Sequence, residues 1–176
     1  GIFKIFKIIG EKDSAYLLKT SLSASALKKL LKKYGQTPLP PYLKNSKLDE
    51  TARRKEYQTI FARTGESIAA LTASLHFTKS LMNKLRKQGI QIKFINSDVN
   101  FGTFAPLKKE NLMQGRLHAE NYGIDKRTAQ FIKKAKMQGR PIIAVGTTVA
   151  RALESAFLHP RAIKLQGETK LFIRPP

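Results

Sequence analysis

Hydrophobic residues alternate with lysines at the start of the chain, and this alternation predicts two β-strands. Residues 2–9 fit one strand and residues 15–19 a second, with a turn over residues 10–13 between them. A period of two places alternate side chains on opposite faces of a strand, so the pair is predicted to form a β-hairpin.

Apolar residues then recur at helical spacing, and a proline-rich connector follows. Residues 27–34 carry the helical pattern, with Ser23 or Ser25 as the expected N-cap and Gly35 as the expected end. Three prolines within residues 37–42 fix an extended segment, because proline has a fixed φ and no N–H to donate.

We place the domain boundary at this connector, after which strand and helix signals alternate. Residues 1–36 form a small β-rich piece with a helix, and residues 37–176 the main domain. The predicted elements of the main domain are a helix from Asp49 to Phe61, a helix between Thr78 and Gly89, a strand at 90–95, a helix between Asp125 and Gly139, a buried strand at 141–145, a helix at 148–157 and a strand at 169–173. This order predicts an α/β fold, a layered sheet with flanking helices and some parallel pairing.

The chain is strongly basic, which points to a polyanionic partner. Its 176 residues include 33 Lys and Arg but only 12 Asp and Glu, for a formal net charge of +21. Nucleic acid is the first candidate partner, and an anionic membrane surface is the second. A lysine-rich composition inherited from an AT-rich genome is the alternative explanation, but such a bias should enrich Glu together with Lys.

Several chemistries are disfavoured by what the sequence lacks. It has no Cys, which removes disulfides and Cys-ligated metal sites. Its three histidines lie far apart without the spacing of metal ligands, so we expect no metal site. The longest uncharged apolar stretches are too short to span a bilayer.

A glycine turn joins the predicted buried strand to the next helix, in the run Ala144-Val145-Gly146-Thr147-Thr148. A helix N-terminus offers free backbone N–H groups and a partial positive charge, and glycine lets a ligand come close. Arg151, one turn on, could bind a carboxylate or a phosphate. An ordinary capped helix with a solvated arginine is the alternative, because the run lacks the glycines of a dinucleotide loop.

A second uncharged stretch, residues 67–78, places His76 just before the predicted helix cap. A histidine near a helix N-terminus tends to be neutral, which suits proton transfer or hydrogen bonding. The alternative is a loop packed into the core with His76 simply hydrogen-bonded there.

Two further candidates lie between these stretches. Residues 100–106 form an uncharged, glycine-containing loop after a predicted strand, where α/β folds bind ligands, and its two phenylalanines could stack on a base or anchor the core. His118 and Glu120 would share one face of a strand, where the carboxylate could orient the imidazole, although a surface position explains them equally well. We expect the uncharged turns to converge on one cavity ringed by cationic side chains.

In order along the chain, these stretches match the motifs of one family. The matching runs are Pro38-Leu39-Pro40-Pro41-Tyr42, Tyr57-Gln58-Thr59-Ile60-Phe61-Ala62, Thr72-Ala73-Ser74-Leu75-His76-Phe77-Thr78, Gly102-Thr103-Phe104-Ala105-Pro106, His118-Ala119-Glu120 and Ala144-Val145-Gly146-Thr147-Thr148 with Arg151-Ala152-Leu153-Glu154. The chain resembles the S-adenosylmethionine:tRNA ribosyltransferase-isomerase family of queuosine biosynthesis, from about Gly1 to Pro176.

The resemblance implies a function. The family moves the ribosyl group of S-adenosylmethionine onto a 7-aminomethyl-7-deazaguanine at the tRNA wobble position and isomerises it to epoxyqueuosine, releasing adenine and methionine. It implies S-adenosylmethionine as co-substrate, no metal, the tRNA anticodon stem-loop as partner, and a cytoplasmic location. It also implies that residues 1–36 are the remnant of a barrel-like domain inserted into an α/β domain.

The candidate site residues follow from the matching motifs and the basic runs. The candidate catalytic residues are His76, as leading general acid/base, His118 and Glu120. Substrate binding is expected at Tyr57, Gln58, Thr72, Phe77, Gly102, Thr103, Phe104, Gly146, Thr147, Thr148 and Arg151. Nucleic-acid contacts are expected at Arg53, Arg54, Lys55, Lys84, Lys108 and Lys109.

The sequence also departs from the family pattern. The family usually has Pro at Leu71, Gly at Ser74, His at Asp98, Gly at Asn100 and His at Gly115. Its Asn-Asp-Thr-Arg motif and its Thr-Asn-Phe-His-Leu-Pro segment have no counterpart here, so we expect the chain to be truncated at both ends. A non-catalytic tRNA-binding relative is therefore the alternative function, and a general RNA-binding structural protein ranks after it.

Overall fold

The computed structural model of the chain describes residues 6–12, 15–40, 43, 45–62, 69–98, 109–159 and 162–174. The chain divides into two units, Gly1–Thr37 and Pro38–Pro176. The first holds a hairpin and a helix, and the second holds a three-stranded sheet and the remaining described helices.

The first unit begins with the predicted hairpin. Strands β1 (Phe6–Lys12) and β2 (Ala15–Thr20) pair antiparallel. The register shifts between Ile8 and Gly10, so that Gly10 lies inside β1 beside a bulge and not in the turn that was predicted for it. A bulge inserts one extra residue into one strand, which the alternation pattern alone does not reveal.

Helix α1 (Ala24–Tyr34) completes the first unit and has the predicted ends. The Ser23 Oγ accepts a hydrogen bond from the N–H of Ala26 at 3.2 Å, and the helix ends at Gly35. A serine at this position satisfies one of the free N–H groups of the first turn. None of the residues of α1 is buried.

The second unit is organised around a three-stranded sheet in the order β3-β4-β5. Strand β4 (Arg116–Gly123) pairs antiparallel with both β3 (Asn96–Asp98) and β5 (Gln166–Leu171). The helices of this unit are α2 (Glu50–Glu56), α3 (Lys79–Lys87), α4 (Lys109–Gln114), α5 (Lys126–Met137) and α6 (Thr147–Ala156). The mixed α/β class is confirmed.

Side-chain caps start three of these helices at the predicted positions. Asp49, Thr78 and Asp125 each accept a hydrogen bond from the backbone N–H three residues on. Hydrogen bonds from the side chain and the backbone N–H of Thr128 lower the pKa of the Asp125 carboxyl. Local chemistry of this kind depends only on neighbours in sequence, which is why the sequence predicts it well.

Two expectations about the second unit, a buried strand and some parallel pairing, are not met by the described residues. Residues 141–145 form no strand, and Ile143 is 83% exposed. Both sheets among the described residues are antiparallel, so the expected parallel pairing is not found there. A buried strand needs a neighbour for its backbone hydrogen bonds, and an apolar run does not supply one.

Two element boundaries also differ from the prediction. Helix α2 ends at Glu56 and does not continue to Phe61. The Gln58 Oε1 accepts a hydrogen bond from the backbone N–H of Thr59, a local bond that competes with helix continuation. Residues 90–95 are not a strand, and β3 begins at the residue that follows them.

The core of the second unit lies between the sheet and helices α5 and α6. Tyr122, Ile124, Ala129, Ala152 and Ala156 form one buried cluster. Three of these five are alanines, whose small side chains let the helices approach the sheet closely. This packing fixes α6 against β4 and β5, the elements that carry several of the predicted site residues.

Candidate active site

The N-terminus of α6 is shaped by a glycine that no other residue would replace without strain. Gly146 has φ 95° and ψ 148°, a backbone region that is essentially restricted to glycine. No side chain caps α6, so its first-turn N–H groups are not used by a cap of this kind. Thr147 is exposed at this end, whereas Thr148 is buried.

The turn that carries His76 lies directly beside this helix end. Residues Thr72–His76 form a 3-10 helix, and a Cβ on Gly146 would lie 3.5 Å from the Cβ of Ala73. The side chains of Thr72 and His76 are exposed. Two stretches that lie about 70 residues apart in sequence are therefore adjacent in the fold.

Arg151 lies one turn further along α6, and its guanidinium is occupied by protein acceptors. Its Nε donates to the carbonyl of Leu171 at 2.7 Å, and its Nη2 to the carbonyls of His118 at 2.8 Å and Thr169 at 3.2 Å. Its Nη1 lies 3.0 Å from the Oε1 of Glu120. Both side chains of this ion pair are more than nine-tenths buried.

The spacing predicted that His118 and Glu120 share one face of β4, but the register of β4 against β5 shifts between Arg116 and Glu120, and the two side chains lie in different environments. His118 is exposed, while Glu120 is buried against Arg151. The Oε2 of Glu120 is buried and accepts no hydrogen bond from the described residues. The carboxylate is therefore directed at the interior and the imidazole at solvent.

Aromatic residues connect the end of α2 with the turn that carries His76. The Phe77 ring lies 6.0 Å from the ring of Phe61, which in turn lies 5.5 Å from the ring of Phe94. Tyr57 is buried, and Gln58 is exposed with its Oε1 bonded locally. Phe94, which is exposed, was not among the predicted site residues. Its contact with Phe61 joins distant segments of the chain, which helical or strand periodicity does not encode.

Some of the residues predicted to contact nucleic acid are exposed lysines, and others are arginines that bind acceptors within the protein. Lys55, Lys84 and Lys109 are exposed. The Arg54 Nε lies 2.9 Å from the Oε1 of Glu50, and the Arg53 Nη2 donates to the carbonyl of Ser46 at 2.8 Å. Exposed lysines can reach phosphates directly, whereas these two arginines each hold a protein partner as well.

Some of the predicted residues lie outside the described part of the chain. These are Gly102, Thr103, Phe104 and Lys108. At Gly115, where the family resemblance leads us to expect His, the backbone has φ 59°. A left-handed conformation favours glycine, so this substitution agrees with the local turn.

A described cavity of about 480 Å³ lies on the three-stranded sheet and not at α6. Its lining residues are Asn96, Ser97, Asn121, Tyr122, Gly123, Gln166, Gly167 and Glu168. None of them is a predicted site residue. The turns at Ala73 and Gly146 are adjacent, but the described cavity does not lie between them, and the third turn, residues 100–106, lies outside the described residues.

The Gly146→Ala substitution tests whether the conformation of this turn is required. We expect the free energy of unfolding to fall by about 1–3 kcal/mol, because alanine is strained at this φ and ψ even though its Cβ has room. Chemical denaturation measures the change. Gly123→Ala is the control, since its Cβ would lie 3.8 Å from that of Asn96, an ordinary contact. An equal loss in both variants would contradict the argument.

No helix in the described ranges is both long and apolar enough to cross a membrane. In the same part of the chain, no three His, Asp or Glu side chains come together as a metal site requires.

The chain is similar to known proteins of one family along most of its length. A family model described as "Queuosine biosynthesis protein" matches residues 3–176. A protein of Treponema denticola is 46% identical over 147 residues, 82% of this chain and 42% of its own length. A protein of Sulfurihydrogenibium sp. is 39% identical over 170 residues, 97% of this chain and 48% of its own. A protein of Thermus thermophilus is 44% identical over 147 residues, which are 83% of this chain and 41% of its own length.

All three relatives bear the name S-adenosylmethionine:tRNA ribosyltransferase-isomerase. The chain spans somewhat less than half the length of these curated relatives. The family match covers nearly the whole chain, and the order of motifs agrees with it. The chain belongs to the queuosine biosynthesis protein family.

Proposed function

We propose that this chain acts in the transfer of the ribosyl group of S-adenosylmethionine to tRNA and in the isomerisation of that group. The acceptor is a 7-aminomethyl-7-deazaguanine at the wobble position, and the product is epoxyqueuosine. The observation that carries the proposal is the contact between the turn at Ala73 and the N-terminus of α6 at Gly146. This contact supports the proposal because the turn at Ala73 also carries His76, and a helix end of this kind suits a polar, negatively charged group.

The N-terminus of α6 is the proposed site for the methionine carboxylate of the donor. Backbone N–H groups of the first helical turn, together with the exposed Thr147 hydroxyl, can donate to both carboxylate oxygens. Gly146 keeps the backbone accessible at this point. Thr148 is buried, so its proposed contribution is through its backbone N–H.

Proton transfer is assigned to His76. The reaction needs a proton removed from the carbon next to the sulfonium, and adenine must leave with a proton of its own. An exposed imidazole on the turn beside α6 can accept the first proton and supply the second. His118 is exposed on β4 and is proposed to orient the substrate.

Arg151 and Glu120 are proposed to support the site rather than contact the donor. All the described contacts of Arg151 are with protein acceptors, and they tie α6 to β4 and β5. The position of Gly146, one turn earlier on the same helix, depends on this attachment. Glu120 therefore acts through Arg151 in this proposal and not as a proton donor.

The wobble base lies in a single-stranded loop, so it can enter a pocket without first being unpaired. Phe77, Tyr57 and Gln58, and outside the described residues Gly102, Thr103 and Phe104, are the proposed lining for the base or adenine. The proposed partner is the tRNA anticodon stem-loop, and the proposed location is the cytoplasm. Residues 1–36 are proposed to belong to a barrel-like inserted domain, and residues 37–176 to the α/β domain.

A second candidate function is tRNA binding without catalysis. It is favoured by Asp98 and Gly115, which stand where the resemblance leads us to expect histidines. Fewer imidazoles leave fewer groups for proton transfer. This candidate keeps the basic surface and the fold but has no adenine release.

Adenine release from S-adenosylmethionine in the presence of precursor-modified tRNA tests the proposed function. The assay compares this chain with a chimera in which it replaces the aligned segment of the Sulfurihydrogenibium relative. Release that requires both S-adenosylmethionine and the modified tRNA is expected. Tight, salt-sensitive tRNA binding by a folded chain and a folded chimera, both without adenine release, would favour the second candidate instead.

A further inference from the structure

Two cations from different segments of the chain lie over one aromatic ring. The Lys93 Nζ is 4.6 Å and the Arg140 Cζ is 5.2 Å from the centroid of the Phe131 ring. Phe131 belongs to α5, whereas Lys93 precedes β3 and Arg140 follows α5. The fold thus gathers two like charges, and each is attracted to the negative face of the same ring.

Arg140 is held in this position by further contacts. Its Nη1 donates to the Oε1 of Gln91 at 2.9 Å, and its backbone N–H donates to the carbonyl of Ala135 at 3.0 Å. Gly139, with φ 64°, allows the chain to turn back at the end of α5. The guanidinium is thereby oriented but remains exposed, with donors available to a ligand.

Helix α5 extends this cationic surface on both sides of Phe131. Arg127 and Lys134 lie four residues before and three residues after Phe131, which places them on the same face of the helix, and both are exposed. We name the group Lys93, Arg127, Phe131, Lys134 and Arg140 the Phe131 patch. The helix itself carries five basic residues and no acidic residue.

The helix dipole favours Lys134 in the last turn of α5, but it does not explain the cations at the start of the helix. Lys126 and Arg127 lie in the first turn of α5, which contains no acidic residue. The helix dipole disfavours cations at this end and favours acidic side chains. The neighbouring carboxylate, Asp125, is used as the N-cap. An external anion is therefore the simplest partner for this surface.

The arrangement fits a phosphate backbone better than a membrane or a base. A helix of 12 residues is about 18 Å long, enough to follow several phosphates of a duplex. The buried side of α5, with Ala129 and Ala135, packs in the interior, so no apolar face is free to enter a lipid surface. Phe131 is only half exposed and is covered by cations, so it is not offered to a base.

We propose that the Phe131 patch binds the phosphate backbone of tRNA. The identity of the partner rests on the proposed function, and the patch deepens it by assigning a surface to the tRNA body or stem. Contacts of this kind give affinity that falls steeply with salt and depends little on base sequence.

Direct binding of an unmodified tRNA transcript to the 176-residue chain tests the patch. The patch variant is Arg127→Gln/Lys134→Gln/Arg140→Gln, and the matched control is Lys28→Gln/Lys29→Gln/Lys32→Gln on α1, which removes the same charge. We expect the patch variant to bind about tenfold more weakly at moderate salt, and its plot of log affinity against log salt to be shallower by about 3, since three phosphate contacts are removed. The control should stay close to the unaltered chain.

Fold is monitored by circular dichroism and melting temperature. The single variants Arg127→Glu and Lys134→Glu, at exposed positions, repeat the test with little risk to folding. Equal weakening in the patch and control variants would overturn the proposal, as would no tRNA binding by the unaltered chain at low salt. Loss of binding to phosphatidylcholine–phosphatidylserine vesicles with unchanged tRNA binding would also overturn it, and would identify a lipid surface.

Adenine release is measured separately, so the two proposals can fail independently. Weaker tRNA binding by the patch variant supports the patch even when the chain releases no adenine. If the chain releases adenine and the patch variant keeps its tRNA affinity, the proposal for the Phe131 patch is overturned and the proposed function is unaffected.

Discussion

Replacing Arg151 with methionine should lower the free energy of unfolding by about 3–5 kcal/mol, the largest stability loss we expect from a single substitution in this chain. The substitution leaves the Glu120 carboxylate buried without its cation. It also removes the donor from the carbonyls of Leu171, His118 and Thr169. An unpaired buried charge costs more than the ion pair contributes, which makes removal of one partner severe. Denaturant titration followed by circular dichroism measures the loss.

Two further variants serve as controls for the loss in Arg151→Met. Arg54→Met removes an exposed ion pair with Glu50 on α2 and should cost only about 0.2–0.5 kcal/mol. Arg151→Met/Glu120→Leu removes both buried charges and should be more stable than Arg151→Met alone, with a coupling of about 0.5–3 kcal/mol. A normally stable Arg151→Met that fails to bind S-adenosylmethionine would instead support the ligand contact that the sequence suggested.

Arg151 illustrates what the sequence could and could not predict. The sequence located the helix, its glycine turn and an arginine one turn from its start. It could not reveal that the guanidinium's acceptors come from β4 and β5, up to 33 residues away along the chain. A donor that can bind a phosphate can equally bind a carbonyl, and only the tertiary fold decides between them.

The same distinction separates the elements that were predicted from those that were not. The caps Ser23, Asp49, Thr78 and Asp125 were read correctly because each acts on a residue three positions away. The strand predicted at residues 141–145 was wrong, because a buried strand is defined by pairing partners that an apolar run does not specify. The pairing of β4 with β3 and β5 likewise depends on contacts between distant segments.

The candidate site divides in the same way. Gly146 was identified from a local pattern, and its positive φ confirms that the turn requires glycine. The contact between Ala73 and Gly146, which joins two of the predicted stretches, is a tertiary contact. This contact is the observation that makes the two turns one candidate site and not two separate sequence motifs.

Replacing His76 with alanine should reduce the rate of adenine release by about 10²–10⁴-fold, the usual contribution of a positioned general acid or base. The measurement uses whichever preparation, the chain or its chimera, releases adenine. The loss should appear in kcat and not mainly in KM, because the imidazole is proposed to act on the transferred proton and not to hold the substrate. His76 is exposed, so the melting temperature should change little.

Two other histidines serve as controls for this assignment. His159 is exposed outside the candidate site, and His159→Ala should leave the rate unchanged. His118→Ala should raise KM more than it lowers kcat, since its proposed role is to orient the substrate. Full ribosyl transfer by His76→Ala would show that His76 is not the proton-transfer group, and an equal fall in kcat for His76→Ala and His118→Ala would show that His76 is not the proton-transfer group by itself. In the first case another group at the site must accept the proton, and in the second the two imidazoles act as one unit.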